Sequence, residues 1–463
     1  MKHYLLFFAC LLFAFRALEE QNTTLEKRIT TNVSQRIEID GFSSTDISFK
    51  SWDKNEVYIK LDISISSSDD DYEKKFISSA KITESQTPSS VRLQFDRIKD
   101  NSDGWSILKS IFKGRFYTKT EITGEIYVPQ SNPLSTDLKY GTISLENMNG
   151  EINLNGKSNS LKLRNCSSIA RIDNDYGTTL IESSGGSLDL NATSSTITIN
   201  DFNGLVKIDA NYSTLTLNRI RKNIAINDKS GKLDIEDITG DAKIDADYST
   251  ITLNDVKGFT DISSKSATIR VRSVDGVQVR ANYSTVIIND VKGIHSKLII
   301  VNGQSGTLTL EDATGNVQID NPYSTIDLVR INGNIAINSK SATIHADDIQ
   351  GDWNSRTEYS SVTIRRITAN DVKITNKSNP VSVQLKNVPS NINIQNEYGD
   401  VTVHMPAGFS GDVDMYAEYG TVDTNFPIKH KSGRKSSYTA KIGSGNGSIT
   451  IETKSANIEL IEE

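Results

Sequence analysis

The sequence predicts an all-β protein, a single-stranded parallel β-helix (solenoid) of about sixteen coils of ~18 residues, with a β-rich N-terminal cap and a C-terminal strand cap. Three observations lead to this prediction. The segment ADYSTITLNDVKG at residues 246–258 recurs from residues 210, 281 and 321. A second version, such as KSATIHADDIQG from Lys340, falls midway between copies of the first. Inside both, apolar and polar residues alternate and β-branched residues are frequent, which favours strands over helices.

The N-terminus predicts export. We divide the chain into a signal peptide at 1–17, an N-terminal β-rich cap region with a short helix at 18–135, the solenoid array at 136–426 and C-terminal capping strands at 427–463. Twelve consecutive apolar residues, 4–15, are too few to cross a bilayer as a helix and are typical of a signal peptide. We expect a periplasmic, cell-surface or secreted protein of a bacterial envelope, with no transmembrane segment after signal removal. Lipidation at Cys10 or an uncleaved anchor are the alternatives.

Charge and cysteine content narrow the function classes. The 51 Lys+Arg and 58 Asp+Glu give a net charge of −7, which provides no basic surface for nucleic acid. Without Cys10 only Cys166 remains, so no internal disulfide is predicted. Cys166 occupies the slot that Val256 fills in a later repeat, and this favours a small buried residue over a reactive thiol.

The cap region precedes the array. Stretches such as RIEIDGF at residues 36–42 alternate apolar and polar residues and predict half-buried strands. Ser68 and the three aspartates after it predict the start of a short helix over residues 72–82. Residues 105–117 are the most apolar and basic stretch of the mature chain, and they predict an amphipathic helix or hairpin. We expect this segment to cover the open end of the solenoid, with a membrane or partner contact as the alternative.

Tyrosine recurs along the array, up to Tyr398, at intervals of 35 to 40 residues. About midway between two tyrosines lies a copy of the second version of the repeat, which we call the Lys type because several copies begin with lysine. The tyrosines are Tyr140, Tyr176, Tyr212, Tyr248, Tyr283, Tyr323, Tyr359, Tyr398 and Tyr419. The coil is therefore about 18 residues and comes in two kinds. A propeller, which builds a four-stranded blade from about 40 residues, is the structural alternative. The two halves of the double repeat resemble each other too closely for that fold.

Within one coil, the alternation of apolar and polar residues predicts which side chains point inward. Ile251 and Leu253 are predicted to point inward from one strand, and Val256 is a third inward residue at a corner. Gly258 permits a turn, and Ile262 begins a second short strand. Each strand is expected to pair in parallel with its equivalent one coil along, because a single coil cannot bury its own apolar face.

Stacking predicts a column in which Tyr and Lys alternate, with an ammonium near each aromatic ring. Exposed tyrosines in a row suit stacking on sugar rings, which makes this column a candidate carbohydrate site. The other interpretation is that the column only holds a corner in register. The candidate ligand-binding residues are Tyr212, Tyr248, Tyr283, Tyr323 and Tyr359.

A second column, one residue before the inward corner residue, is rich in aspartate. From Asp312 to Arg366 its charges alternate in sign, which predicts a charge ladder. Like charges on adjacent coils make a candidate cation site of two pairs, Asp237 with Asp255 and Asp290 with Asp312. A solvated corner is the alternative, and the nonapeptide calcium repeat GGxGxDxUx is absent.

The two ends carry the most specific resemblance to a known family. The segments GEIYVPQSNPLSTDLKYGTISLENMNGEINLNG, from residue 124, and GNGSITIETKSANIELI, from residue 445, flank the array. With the array, they resemble the bacterial putative adhesin domain family, the DUF4097 β-strand-repeat proteins. The resemblance implies an exported β-helical protein without an accepted catalytic motif. The ending has Ser455 and Ala456 where the family often has Gly.

We therefore expect an exported non-enzymatic β-solenoid that acts as an adhesin or structural surface protein and contacts an extracellular glycan or a surface or matrix protein. A carbohydrate-binding module using the Tyr column is the alternative. A polysaccharide lyase or glycosidase is the third hypothesis, disfavoured because the array lacks the long loops that usually build such a site. The five histidines are dispersed and no phosphate-binding or nucleophile motif occurs, so no cofactor is predicted.

Overall fold

A computed structural model describes residues 21–42, 46–67, 69–97, 118–293, 299–426 and 436–463. The predicted signal peptide and the 105–117 segment lie outside the described residues. The chain divides into two compact units, Met1–Gly150 and Glu151–Glu463. Within the described ranges, no helix has the length and apolarity that crossing a membrane requires.

The first unit is mostly strand, with one short helix among its described residues. Its elements are β1 (Gln21–Thr30), β2 (Arg36–Asp40), β3 (Asp46–Trp52), β4 (Glu56–Ser67), α1 (Asp70–Ser79), β5 (Lys81–Gln86), β6 (Ser90–Asp96), β7 (Thr118–Pro129), β8 (Leu134–Lys139) and β9 (Thr142–Glu146). Strands β2 and β3 pair in parallel with β8 and β9, so these two coils stack although about 80 residues of chain separate them. β4 is antiparallel to both β1 and β7, and β5 is antiparallel to β6.

The helix is confirmed, with shifted ends. It begins at Asp70 rather than at residue 72, because the side chain of Asp69 accepts hydrogen bonds from the backbone N–H groups of Asp71 and Tyr72, both at 3.1 Å. It ends at Ser79 rather than at residue 82, because Lys81 already pairs with Asp96 in the next hairpin.

The second unit is a parallel β-solenoid. Its first strands are β10 (Ile152–Lys157), β11 (Ser160–Arg164), β12 (Ile169–Asp175), β13 (Thr178–Thr193), β14 (Thr196–Asn211), β15 (Thr214–Ile220), β16 (Ile224–Lys229), β17 (Lys232–Ile238), β18 (Ala242–Asp247), β19 (Thr250–Lys265), β20 (Thr268–Asn282), β21 (Ser284–Val291), β22 (Ile299–Asn302) and β23 (Ser305–Thr314). Each coil contributes two straight segments that pair with the segments of the next coil, as in Ile251↔Ile269 and Ile262↔Val279. The solenoid has about 15 turns whose equivalent residues lie about 18 apart, against the sixteen predicted.

The remaining strands continue this stacking to the C-terminal end. They are β24 (Val317–Asp320), β25 (Tyr323–Asn332), β26 (Ile335–Asn338), β27 (Ser341–Gln350), β28 (Trp353–Arg356), β29 (Ser361–Thr368), β30 (Asp371–Ser378), β31 (Val381–Leu385), β32 (Asn391–Tyr398), β33 (Val401–Met405), β34 (Gly411–Ala417), β35 (Val422–Thr424), β36 (Ser437–Ile442), β37 (Gly447–Thr453) and β38 (Ile458–Glu462).

The core of the second unit consists of inward rows, as predicted. Ile251, Leu253 and Ile262 are fully buried, and Val256 is 1% exposed. Cys166 is also fully buried in the row that Val256 occupies. Burying such a side chain contributes about 1.5–3 kcal/mol, and each coil adds several. The residue before Val256, Asp255, has a positive φ of 51°. Asp, Asn and Ser recur at this corner because they tolerate the left-handed region better than most residues.

The C-terminal strands do not follow chain order. β37 pairs in parallel with β32 on one side and with β34 on the other, and β38 lies likewise between β33 and β35. β36 pairs antiparallel with β34, on the side of β34 away from β37, and is the outer strand of the cap. The strand cap is therefore confirmed, but its last two strands are inserted into the stack rather than added beyond it. The chain segment between β36 and β37 passes the start of β34, where the Gly445 N–H donates to Ser410 Oγ at 2.7 Å.

Candidate functional site: the tyrosine face

One corner of the second unit carries tyrosine in every second coil and serine in the coils between. Tyr323 pairs with Ser341, and Ser378 pairs with both Tyr359 and Tyr398. We call the eight tyrosines of this corner the tyrosine face: Tyr176, Tyr212, Tyr248, Tyr283, Tyr323, Tyr359, Tyr398 and Tyr419. It contains all five tyrosines singled out from the sequence.

The predicted alternation of Tyr with Lys in one column was wrong by one residue. Lys229 pairs with Asn211 and Asp247, the residues that precede Tyr212 and Tyr248. The lysines therefore stack with acids and amides in a column beside the tyrosine face. The corner residue sits at a positive φ in both kinds of coil, 55° at Tyr212 and 61° at Ser230. Sequence alignment of the two repeat kinds by their first residue missed this offset.

The serine after each tyrosine explains why the Tyr-Ser pair recurs. Ser213 is 3% exposed; its Oγ donates to the Asn211 carbonyl at 2.9 Å and accepts from the Ser195 N–H of the preceding coil at 3.1 Å. The same acceptance from the preceding coil occurs at Ser249, Ser284 and Ser360. Each buried hydroxyl thus satisfies a backbone donor at the corner and fixes where the tyrosine before it emerges.

The tyrosine rings remain open to solvent. Exposed fractions run from 46% at Tyr359 to 74% at Tyr419. Among the described residues, three of these rings have an ammonium over them. The Nζ-to-centroid distances are 4.7 Å for Lys157 and Tyr176, 5.8 Å for Lys377 and Tyr359, and 6.0 Å for Lys454 and Tyr398. Such exposed contacts are worth about 0.5–1 kcal/mol each. They hold rings in place and leave much of the aromatic surface accessible.

A row of hydroxyls runs beside the tyrosine face. The second residue after each corner is Thr or Ser in adjacent coils, interrupted by Lys232, and the members are in strand register: Thr178, Thr196, Thr214, Thr250, Thr268, Thr285, Thr307, Thr325, Thr343 and Ser361. Most of them are exposed. Sequence reasoning assigned no role to this row, although the recurring T in YST and KSAT was its signal.

Between two tyrosines the surface forms a groove. Tyr323 and Tyr359 stand two coils apart, and Ser341, Thr325 and Thr343 lie between and beside them. The groove encloses about 460 Å³. Aromatic walls with hydroxyls on the floor can stack on a flat apolar face of a ligand and bond to its hydroxyl edge.

The predicted cation-site residues stack in the pairs expected from the sequence. Asp237 and Asp255 occupy equivalent positions of adjacent coils, as do Asp290 and Asp312. Asp312 accepts from Arg330 Nη2 at 2.9 Å, and this guanidinium lowers the pKa of the Asp312 carboxyl. Asp290 accepts from Ser273 Oγ at 2.9 Å. In the described part of the chain no three His, Cys, Asp or Glu residues form a group suited to a metal ion, and the cation site stays a prediction.

The charge ladder pairs differently from the simple alternation. Arg330 bonds to Asp312 in the preceding coil, as expected. Arg366 instead forms an ion pair with Asp347, with 2.7 Å between Nε and Oδ1. Asp348 forms an ion pair with Lys386, with Nζ at 2.8 Å from Oδ1. These pairs are exposed, so each adds little to stability.

The first unit holds an aromatic cluster that the sequence did not indicate. Trp52, Tyr58 and Tyr127 lie with ring centroids 5.0 to 6.2 Å apart, half-buried on one face of adjacent strands. Arg28 lies over Tyr58 at 4.0 Å, and Lys50 over Tyr127 at 5.4 Å. Register brings these residues together across β1, β4, β7 and β3, and single-strand alternation carries no information about register.

Comparison with known proteins adds two distant structures and one family. No curated protein matches the chain. A putative cell adhesion protein from Clostridium sporogenes is similar at 9% identity with a TM-score of 0.17, over 96% of this chain and 100% of that one. A putative adhesin from Parabacteroides merdae is similar at 15% identity with a TM-score of 0.20, over 76% of this chain and 97% of that one. At these scores neither structure supports an argument about function.

The family comparison is more extensive. The family model described as Toastrack DUF4097 matches residues 171–461, which is more than half of the chain. The match confirms the resemblance drawn from the sequence, and this chain belongs to the Toastrack DUF4097 family.

Proposed function

We propose that this protein is an exported, non-enzymatic surface protein whose solenoid presents repeated side-chain rows for adhesive or structural contacts in a bacterial envelope. The observation that carries the proposal is the tyrosine face, eight exposed rings in a line beside a row of hydroxyls. Weak single contacts repeated along a rigid surface give strong binding to a repetitive partner, because each contact after the first is effectively intramolecular. The partner is an extracellular glycan or a surface or matrix protein.

Bead adhesion tests this function. Beads carrying residues 18–463 are presented to immobilised polysaccharides and matrix proteins, and retention under flow is measured. We expect retention on at least one surface, and loss of it in the triple variant Tyr212→Ala, Tyr248→Ala, Tyr283→Ala. Tyr416→Ala is the matched control, because Tyr416 is 48% exposed but lies outside the tyrosine face. Absence of retention on every surface, or release of new reducing ends from a polysaccharide, would overturn the proposal.

Carbohydrate binding through the tyrosine face is the second candidate. The observation that motivates it is the groove between Tyr323 and Tyr359, with its hydroxyl-bearing floor. Titration of a panel of soluble glycans, followed by calorimetry, tests this candidate. Binding that weakens in Tyr323→Ala with Tyr359→Ala, and is unchanged in Tyr416→Ala, supports it. Retention on matrix protein alone, with no glycan bound, would leave adhesion standing and remove the carbohydrate candidate.

Export has its own test. Residues 1–17 fused ahead of a reporter that is active only outside the cytoplasm are expected to give activity in a bacterial host. A matched fusion in which Leu11 and Leu12 are changed to Arg interrupts the apolar run and is expected to be inactive. Equal activity of the two fusions would contradict export through this segment.

A further inference from the structure

We propose that the tyrosine face binds an extended, neutral, β-1,4-linked polysaccharide that lies parallel to the solenoid axis, with one disaccharide for each tyrosine. This inference rests on the carbohydrate-binding candidate above and adds the class of glycan, its direction and its register. Three independent features of the second unit support it: the spacing of the rings, the placement of the hydroxyls and the balance of charge.

The spacing of the rings matches a two-sugar period. Adjacent coils of a parallel solenoid are about 4.8 Å apart, so tyrosines in every second coil repeat at about 10 Å, close to the two-sugar repeat of an extended β-1,4-linked chain. In such a chain each sugar is turned over relative to the last, so the same ring face recurs at every second sugar. A glycan along the axis therefore offers an equivalent face to each tyrosine, and the serine coils meet the sugars in the other orientation.

The two-coil spacing of the tyrosines is also kept at the C-terminal end, although Tyr398 and Tyr419 are close in sequence. Tyr398 and Tyr419 are 21 residues apart in sequence, about one coil, while the preceding tyrosines are separated by two coils. The insertion of β37 and β38 restores the spacing. The Ser455 N–H donates to the Glu397 carbonyl at 2.9 Å, and the Tyr419 N–H donates to the Lys454 carbonyl at 2.8 Å. Lys454 and Ser455 thus supply the coil of the Lys type between the last two tyrosines.

The hydroxyl row provides polar contacts along the same line. Thr307, Thr325 and Thr343 occupy successive coils next to the corner and are exposed. The row is continuous from Thr250 to Ser361, so over these coils each sugar meets a hydroxyl whichever way its ring is turned. Stacking fixes the position of every second sugar, and the hydroxyl row accepts both orientations.

The charges beside the tyrosine face favour a neutral ligand. In the column before the corner, lysines of one coil alternate with acids of the next in two stretches, as in Lys229 with Asp247 and Lys377 with Glu358, and the residues between the stretches are uncharged. In both charged stretches a polyanion would meet acidic side chains, and a polycation would meet lysines. Like-charge contacts disfavour both, while an uncharged chain is not penalised.

An oligosaccharide length series tests the proposal. Residues 18–463 are titrated with the dimer, tetramer and hexamer of β-1,4-linked glucose and of β-1,4-linked N-acetylglucosamine. We expect affinity to rise by about 100-fold or more from dimer to hexamer, because each added disaccharide reaches another tyrosine. The α-1,4-linked glucose hexamer, whose coiled chain lacks the repeat, should bind no better than a dimer.

Variants locate the binding. Tyr248→Ala with Tyr359→Ala leaves no three consecutive tyrosines and should lower hexamer affinity at least tenfold (about 1.4 kcal/mol), while Tyr248→Phe with Tyr359→Phe should retain it because the rings do the stacking. Tyr416→Ala should have no effect. Retention of fold is checked by circular dichroism, and Tyr248→Leu with Tyr359→Leu is the second variant should the double alanine variant fail to fold.

The possible failures are distinguishable. Equal affinity for dimer and hexamer, or for α- and β-linked hexamers, overturns the periodic match while glycan binding itself stands. Loss of binding in Trp52→Ala, with no change in Tyr248→Ala with Tyr359→Ala, places the site in the first unit and overturns the proposal. No binding to any glycan, with bead retention on matrix protein intact, overturns both carbohydrate proposals and leaves the adhesive function.

Discussion

At the residue scale, the corner that bears the tyrosine face is filled in several ways. Four coils place an alanine at the last inward position and a serine three residues later: Ala192 with Ser195, Ala210 with Ser213, Ala246 with Ser249 and Ala281 with Ser284. Three coils have a larger polar residue followed by glycine: Asn174 with Gly177, Asp228 with Gly231 and Asn396 with Gly399. A Cβ at Gly231 would lie 2.2 Å from Asp228 Oδ2. The glycine therefore makes room for the larger side chain.

This exchange predicts strong coupling between positions 228 and 231. Gly231→Ser alone should lower the free energy of unfolding by about 1–3 kcal/mol, because the new side chain meets the carboxyl of Asp228. Asp228→Ala with Gly231→Ser recreates the Ala and Ser pair of neighbouring coils and should recover most of that loss. A thermal-melting double-mutant cycle measures the coupling, which we expect to exceed about 1 kcal/mol. Additive effects of the two changes would contradict the packing account.

Asp228 itself is a buried carboxyl whose effect on the free energy of unfolding depends on pH. It is 3% exposed, and its Oδ2 accepts from Ser249 Oγ at 2.9 Å. Burial raises the pKa of Asp228 above its ordinary value, against the opposing effect of hydrogen bonds from Ser249 and from the backbone of Gly231 and Lys229. The folded protein therefore holds this proton more tightly than the unfolded chain does. Ionised Asp228 is destabilising at neutral pH, and the penalty shrinks as the pH falls through the raised pKa.

Asp228→Asn should accordingly stabilise the protein at pH 7 by about 1–2 kcal/mol. The equivalent Asn174 shows how the amide fits, since its Nδ2 donates to the Asn159 carbonyl at 3.1 Å and lies 3.3 Å from the Thr178 carbonyl. Melting temperatures measured from neutral to acidic pH should converge as Asp228 becomes protonated. The exposed Asp209→Asn is the control and should change little. A gain that does not vary with pH would argue against the buried charge as its cause.

At the element scale, side chains join successive coils at both corners. The serine hydroxyls do so at the tyrosine face, and an Asn or Asp does so at the opposite end of the strand. Asn223 Oδ1 accepts from the Asp241 N–H at 3.0 Å, and Asp241 Oδ1 in turn accepts from the Phe259 N–H at 2.7 Å. Backbone donors that the turns leave free are thereby satisfied between coils. This explains the frequency of Ser, Asn and Asp in the sequence better than solvent exposure does.

Ser213→Ala should therefore cost about 1–3 kcal/mol of stability, because the Ser195 N–H then lacks its acceptor inside the corner. Thr214→Ala, one residue later on the exposed side, should change stability by no more than about 0.5 kcal/mol. Hydrogen exchange at the Ser195 amide reports the local effect, and chemical denaturation reports the total. Equal effects of the two substitutions would contradict the proposed role of the buried hydroxyl.

At the scale of the whole molecule, both units stack coils that are distant in sequence. In the first unit β8 pairs with β2, and in the second β37 and β38 lie between segments that precede them in the chain. Such strands form contacts late, since closing a long loop costs entropy before pairing compensates for it. The inserted strands also reduce the length of unpaired edge at the C-terminal end, which otherwise would recruit other chains.

Truncation after Asn446 should thus loosen residues 406–426 and 436–442 while the earlier coils remain protected. β34 would lose the parallel partner that pairs with it from Gly411 to Ala417. Hydrogen exchange followed by mass spectrometry should show fast exchange in β34 and slow exchange in β27 to β31. A peptide of residues 447–463 added in trans should restore protection, and the same peptide with Ile449→Asp and Ile451→Asp should not. Unchanged protection of β34 in the truncated chain would refute the insertion.

Much of this architecture was predictable from local pattern. The period-two alternation around Ile251 and Leu253 and the repeat of about 18 residues specified parallel coils, inward rows and the corner at Asp255. The candidate tyrosines were also identified correctly as one row, because a stacked repeat converts equal spacing in sequence into alignment in space. The family was recognisable from the array and its C-terminal ending, both of which the family match covers.

What the sequence by itself determined is the content of each coil, since alternation and turn residues act within a few neighbours. Only the tertiary structure decided which residues share a column and in which order the coils stack. A shift of one residue separated the lysines from the tyrosines, and the strands at the C-terminal end entered the stack out of chain order. The physical reason is that register and coil order depend on hydrogen bonds between segments far apart in the chain, and local alternation is the same for every partner that a strand could choose.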